Sequence, residues 1–261
     1  MIHLNAQLKL QIRILYSSAW QHFPLILQGI IMNLNLLSGV LDLIYPVVCF
    51  NCGNALVKHE KILCSFCSLK LPLTNFHNDP FNVMAKSLWG RVPVDFATSF
   101  LYFRKSGITQ ILLHQLKYAE RTDVGKDLGN RFGTQLKDNS FVARADCLIP
   151  VPLHAKKLRA RGYNQSEVIC KGMQEILNIP ILNNLSRISY TDSQTRKRRF
   201  DRWLNVSEKF VITNPESLEG KRILLIDDVF TTGATLEACC EVLNTVKNIS
   251  IGAATLAIAA Y

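Results

Sequence analysis

Apolar positions change their spacing several times along this chain, and each change predicts an element. Ile223, Leu224, Leu225 and Ile226 follow one another with no polar residue between them. An uninterrupted run of that length predicts a strand buried on both faces, as in a parallel sheet. Residues 95–103, 147–151, 179–182 and 249–260 predict further strands, the last one completing the sheet. Between them the spacing turns helical. Ile108, Ile111, Leu112, Leu116 and Ala119 mark one amphipathic helix, and Val124, Leu128, Phe132 and Leu136 mark a second over 123–137. Val168, Ile169, Met173, Ile176 and Leu177 mark a third, and Leu236, Cys239, Cys240 and Leu243 a fourth. Strands alternating with helices predict an α/β fold, a mostly parallel sheet with flanking helices. Along the second helix Gly125, Gly129 and Gly133 recur every four residues. Glycine weakens a helix, so this stripe predicts close packing against another backbone. Lys126, Asp127 and Arg131 exclude a lipid-facing role for it.

Composition bounds what such a fold could do. The chain has 261 residues, 48% of them hydrophobic and 19% charged, enough for one α/β domain plus a small module. The net charge is +10, and between 144 and 209 there are 13 lysines and arginines against 6 acids. A field of that sign suits a polyanionic small molecule or a nucleic acid. Residues 1–35 carry only Lys9 and Arg13 as charges, but Gln21, His22, Pro24, Gln28, Asn33 and Asn35 interrupt any membrane-spanning run. No transmembrane segment is predicted. Met32 is the expected functional start, with 1–31 an over-extended reading of the gene. An amphipathic surface helix is the alternative for that extension.

Of eight cysteines, four form two CxxC pairs, Cys49 with Cys52 and Cys64 with Cys67, eleven residues apart. This spacing lets four thiolates converge on Zn²⁺, a closed structural site with no open position for chemistry. Two disulfides are the alternative, disfavoured because nothing secretory precedes the pairs. His59 lies between the knuckles and is expected to be a solvated loop residue. Cys147, Cys170, Cys239 and Cys240 sit in apolar stretches, as small buried hydrophobes do. A reducing, cytoplasmic setting follows.

Two stretches carry chemistry. After the run at 223–226 come Asp227 and Asp228, then Val229, Phe230, Thr231, Thr232, Gly233, Ala234 and Thr235. An acidic pair and a hydroxyl-rich turn opening a helix make an anion site, because the first helical amides lack backbone partners. A nucleotide-hydrolysing strand would need a GxxxxGK[ST] loop. Neither Gly-Lys pair fits: Gly125-Lys126 has Glu120 in place of the first glycine and Asp127 after it, and Gly220-Lys221 has Pro215 and Arg222 at those positions, so that reading fails. The second stretch follows the strand at 147–151, where Lys156, Lys157, Arg159 and Arg161 crowd a turn after Pro150 and Pro152. A diphosphate with Mg²⁺ wants such a cationic turn at strand C-terminal ends; a solvated basic loop is the bland alternative. Lys117, closing the first helix, is a further diphosphate candidate, with a solvated helix-end cation as its alternative. Within the polar segment 186–205, Arg196, Lys197, Arg198, Arg199 and Arg202 are interleaved with Phe200 and Trp203. That segment is either a lid excluding water during transfer or a nucleic-acid contact.

The stretch from Asp227 to Thr235 resembles the 5-phosphoribosyl pyrophosphate (PRPP) signature of the type I phosphoribosyltransferases. The order of parts resembles the ComF family, competence-associated proteins with an N-terminal zinc ribbon and a C-terminal phosphoribosyltransferase domain. Leu116-Lys117-Tyr118, Pro150-Val151-Pro152-Leu153-His154, Arg159-x-Arg161-Gly162-Tyr163-Asn164-Gln165 and the segment 195–205 match alongside the cysteines and the signature. The resemblance implies a zinc ribbon over 36–78 and a phosphoribosyltransferase domain over 90–261, and leaves 1–35 as an extension that is unusual beside the family. It implies that Asp227 and Asp228 hold the ribose at the catalytic centre, with the residues from Val229 to Thr235 around the 5′-phosphate. It further implies PRPP binding and a part in DNA uptake, with single-stranded DNA and other uptake proteins as partners; it does not by itself imply catalysis, and the alternative is a non-catalytic single-stranded DNA or partner-binding factor on the same fold. No residue stands out as a base for the acceptor.

Overall fold

The apolar run at 223–226 forms the buried first half of strand β5 (Arg222–Phe230) in the computed structural model, which describes residues 46–188 and 209–259. β5 lies inside a four-stranded sheet with β1 (Phe96–Phe103), β2 (Cys147–Pro150) and β6 (Ser250–Ala259), in the order β1-β6-β5-β2. All three pairings are parallel. The last strand completes the sheet from within. β6 runs through its middle, between β1 and β5, and is buried from 251 to 258. Its alanines and glycine suit that position, since helices cover both faces.

Alternate residues along the strands feed two cores, as the pleat requires. Leu148, Leu224, Ile226 and Ala254 pack with α3 (Ile108–Tyr118), α4 (Thr122–Leu136) and α6 (Gln165–Leu177). Cys147, Ile149, Ile223, Leu225 and Ala253 pack with α2 (Val83–Leu88) and α7 (Ala234–Leu243). Cys147, Cys170, Cys239 and Cys240 are all buried, as small hydrophobes. Gly129 and Gly133 of the glycine stripe meet backbone as predicted, while Gly125 meets the Leu116 and Val168 side chains. A Cβ on Gly129 would lie 2.3 Å from the Ile169 carbonyl oxygen, and one on Gly172 2.2 Å from that of Lys126. Helices α4 and α6 therefore approach more closely than any side chain allows.

The cysteine module joins the first core. Its helix α1 (Ser65–Leu69) follows Ile62 and Leu63, which are buried together with Cys49, Cys67, Leu101, Leu112 and Leu128. Arg131 ties it down, donating to Ser68 Oγ at 3.3 Å while paired with Asp127 at 2.7 Å.

Three local expectations differ from what forms. Residues 179–182 contribute one parallel bridge, Leu148 to Ile181, in place of a strand, because Pro180 has no N–H to donate. The basic turn after β2 is a short helix, α5 (Ala155–Arg161), started by His154 Nδ1 accepting from the Lys156 amide and ended by Gly162 at φ 78°. The segment at 186–205 begins as strand β3 (Leu185–Ile188), antiparallel to β4 (Lys209–Ile212) in a separate two-stranded sheet.

Connectivity creates one crevice. From β2 the chain leaves toward α6 on the first face, and from the neighbouring β5 it leaves toward α7 on the second. Loops that part in opposite directions open a gap at the C-terminal ends of the two strands, where open α/β sheets hold ligands.

Candidate functional site

The acidic pair lies within β5, not beyond it. β2 ends at Pro150 opposite Ile226, and the Val151 amide makes the last contact, to the Ile226 carbonyl at 2.9 Å. Residues 227–230 continue to pair with β6, Asp227 opposite Thr255 and Val229 opposite Ala257, but their other edge is open. Two carboxylates thus stand on a rigid strand at the mouth of the crevice.

Each acid has a different surrounding. Asp228 Oδ2 is 2.7 Å from Lys117 Nζ, with both side chains about one-fifth exposed. Asp227 Oδ1 accepts from Ser166 Oγ at 3.2 Å and from the Asp228 amide at 2.8 Å. Burial, then the neighbouring Asp228 charge, push the Asp227 carboxyl up from 3.8 to about 7, against the pull of those two donors and Lys117. Arg187 in β3 and Cys239 in α7 are near enough to feel the Asp227 charge. Arg187 also stands 5.5 Å over the Phe210 ring, and burial holds its pKa below the ordinary value.

The threonine turn faces solvent. Thr231, Thr232 and Ala234 are exposed and Thr235 is half-buried at the start of α7. Thr232 Oγ1 accepts from the Ala234 amide at 3.4 Å. Gly233 holds φ 81°, a conformation open to glycine. The Phe230 ring is in the core, 2% exposed, and a Cβ on Gly233 would lie 2.9 Å from it. Of Phe230, the backbone is what reaches the turn.

The basic stretch follows the end of β2. Lys156 and Arg159 are exposed on α5, whereas Arg161 donates to Gln165 Oε1 at 2.8 Å and stands 5.4 Å over the Tyr118 ring. Tyr163 donates its hydroxyl to the Leu116 carbonyl. Asn164 Nδ2 donates to the Val151 carbonyl at 2.9 Å, while its Oδ1 caps α6 through the Ser166 amide. Leu116-Lys117-Tyr118 and the run from Arg161 to Ser166 therefore interlock, and together they set Lys117 and Ser166 against the two acids. Sequence reasoning found Lys117 but missed Ser166 and Arg187. Ser166 follows the singled-out Gln165 directly, which was the available signal; nothing local marks Arg187. The basic run Arg196, Lys197, Arg198, Arg199 and Arg202 lies outside the described residues, as does the extension before Met32. Among the described residues, no helix is long and apolar enough to cross a membrane.

The four cysteines of the CxxC pairs converge. The Sγ atoms of Cys49, Cys52, Cys64 and Cys67 all lie within 4.8 Å of one another, and Cys52 and Cys64 are 3.7 Å apart. A tetrahedral Zn–S₄ centre with bonds of about 2.3 Å has edges of about 3.8 Å, so the cluster fits a zinc ribbon. Asn51 Nδ2 and the Cys67 amide donate to the sulfurs of Cys67 and Cys64, as thiolate ligands require. His59 is exposed and not among the ligating cluster.

Comparison with known proteins agrees with this arrangement. The family model described as "Phosphoribosyl transferase domain" matches residues 177–260, which include the acidic pair and the threonine turn. The chain is 28% identical over 138 residues to "Competence protein F" of Haemophilus influenzae, covering 51% of this chain and 60% of that protein. It is 34% identical over 117 residues to "Competence protein ComFC" of Bacillus subtilis, covering 45% of this chain and 44% of that one. With "DNA utilization protein YhgH" of Escherichia coli O157:H7 it shares 26% identity over 203 residues, 75% of this chain and 83% of the relative. The matches to the first two relatives thus span less than two thirds of their length.

Proposed function

We propose, from the premise that this chain belongs to the ComF family and carries a phosphoribosyltransferase domain, that it binds PRPP with Mg²⁺ in the crevice between β2 and β5 and transfers its 5-phosphoribosyl group. Asp227 and Asp228 accept from the ribose hydroxyls. Thr231, Thr232, Gly233 and Thr235 hold the 5′-phosphate through hydroxyls and the first amides of α7. Lys156, Arg159 and Arg161, with Lys117, meet the diphosphate, whose charge Mg²⁺ shares. Loss of diphosphate builds positive charge at the anomeric carbon, which two carboxylates beneath the ribose would stabilise. Zn²⁺ on Cys49, Cys52, Cys64 and Cys67 has a structural part only. The names of the relatives support a role in competence and DNA handling.

The observation that carries this reading is the acidic pair on an open strand edge, next to an exposed threonine turn. Lys117 supports it as well: its ammonium stands 2.7 Å from Asp228, within reach of a diphosphate on the same ribose. Isothermal titration with PRPP and Mg²⁺ tests the reading. Wild-type protein should bind, and Asp228→Asn should bind at least about tenfold more weakly, the cost of one charge-assisted hydrogen bond. A wild-type protein that takes up no PRPP in the presence of Mg²⁺ would refute it.

A further inference from the structure

Arg91 lies in the short link between α2 and β1, 141 residues before the threonine turn that it touches. Its guanidinium donates to the Thr232 carbonyl at 3.0 Å and to the Ser87 carbonyl at 3.3 Å, and it forms an ion pair with Glu237 in the first turn of α7. One side chain thus joins α2, the turn and the helix that follows it. A trans peptide unit is planar, and its carbonyl and its N–H point in opposite directions. Holding the Thr232 oxygen against Arg91 therefore directs the Gly233 amide to the opposite side of the turn. Gly233 itself is wedged, because a Cβ there would sit 2.9 Å from the Phe230 ring and 3.5 Å from Arg91 Nη1.

The charges are also matched. Glu237 sits at the N-terminal end of α7, where it suits the helix dipole but would repel an incoming phosphate. The ion pair with Arg91 cancels that repulsion and leaves the guanidinium with its donors directed at protein oxygens.

We propose that Arg91 is the positioning residue of the phosphate turn: it holds the Thr232–Gly233 peptide in the orientation that offers its amide to the 5′-phosphate, without touching the phosphate itself. The proposal rests on the PRPP reading above. It is tested by titrating the full chain with ribose 5-phosphate and, separately, with pyrophosphate and Mg²⁺. Arg91→Ala should weaken ribose 5-phosphate binding about tenfold, the worth of a charge-assisted hydrogen bond, and leave pyrophosphate binding unchanged. The double variant Arg91→Ala/Glu237→Gln separates positioning from charge, because it removes the cation and the anion together. If Arg91 works through the turn, the double variant stays about tenfold weaker for ribose 5-phosphate; if Arg91 acts only by cancelling the Glu237 charge, binding returns to that of the wild type. Recovery in the double variant, unchanged binding by Arg91→Ala, or an equal loss for both ligands overturns the proposal. A wild-type chain that binds pyrophosphate but not ribose 5-phosphate overturns the phosphate-turn reading and this inference together.

Discussion

Replacing Asp227 with asparagine should stabilise the empty protein, and only above acid pH. The folded carboxyl titrates at about 7 against an ordinary value of 3.8. Below pH 4 it is protonated in both the folded and the unfolded chain, so it costs nothing. As pH rises from about 4 to 7 the unfolded chain releases this proton first, and stability falls with pH over that window. Each tenfold is worth about 1.4 kcal/mol, so the full gap corresponds to about 4 kcal/mol lost by pH 8. The groups facing the carboxyl from neighbouring elements are Asp228, Lys117, Ser166, Arg187 and Cys239, and the net outcome of their charges and of burial is a raised pKa. Asparagine keeps an acceptor oxygen for Ser166 and the Asp228 amide but carries no charge. The two proteins should have equal melting temperatures near pH 4, and the variant should gain on the wild type steadily up to pH 7. For a chain of this size 1 kcal/mol is about 2–4 °C, so a difference of about 8 °C or more is expected at pH 8. Calorimetry across pH 4 to 8 measures it. A difference that stays flat with pH would show that Asp227 ionises normally, against the burial and the Asp228 charge that raise its pKa.

Close packing of α4 on α6 predicts that Gly129→Ala or Gly172→Ala costs about 1–3 kcal/mol in urea unfolding, since the new methyl meets backbone oxygen. Gly125→Ala meets only the Leu116 and Val168 side-chain ends at 2.7 and 2.9 Å, and alanine's helix preference offsets part of that. It should stay within about 1 kcal/mol of wild type; equal losses at all three positions would contradict the packing argument. Purified protein should contain one zinc per chain by atomic emission, and Cys52→Ser should lose the metal and melt lower, because Cys49 and Cys67 belong to the shared core. Metal-free protein with an unchanged melting temperature would remove the zinc assignment.

Much of the site was legible because its signals are local. The acidic pair and the threonine turn are neighbours in sequence, and strand, turn and helix formed around them where the spacing put them. The glycine stripe likewise announced a close contact, although its partner, Gly172, carried no sign of its role. Elsewhere local reasoning misplaced elements. Prolines at 150 and 152 argued for a turn, but His154 supplies a cap and the basic residues ride on a helix. The apolar tail forms the strand expected of it, but its inner place between β1 and β5 was not legible, because burial on both faces says nothing of which strands lie beside it.

Spacing and residue type by themselves determined which segments are buried, where four thiolates could meet, and which stretch holds paired acids before a helix. These properties are set within a few residues by pleat, helical period and side-chain chemistry. Only the tertiary structure decided which groups surround the acids. Ser166 reaches Asp227 across 61 residues and Arg91 reaches Thr232 across 141. Sheet order and the opposite turns after β2 and β5 bring these groups together, and no local pattern encodes which strand lies beside which.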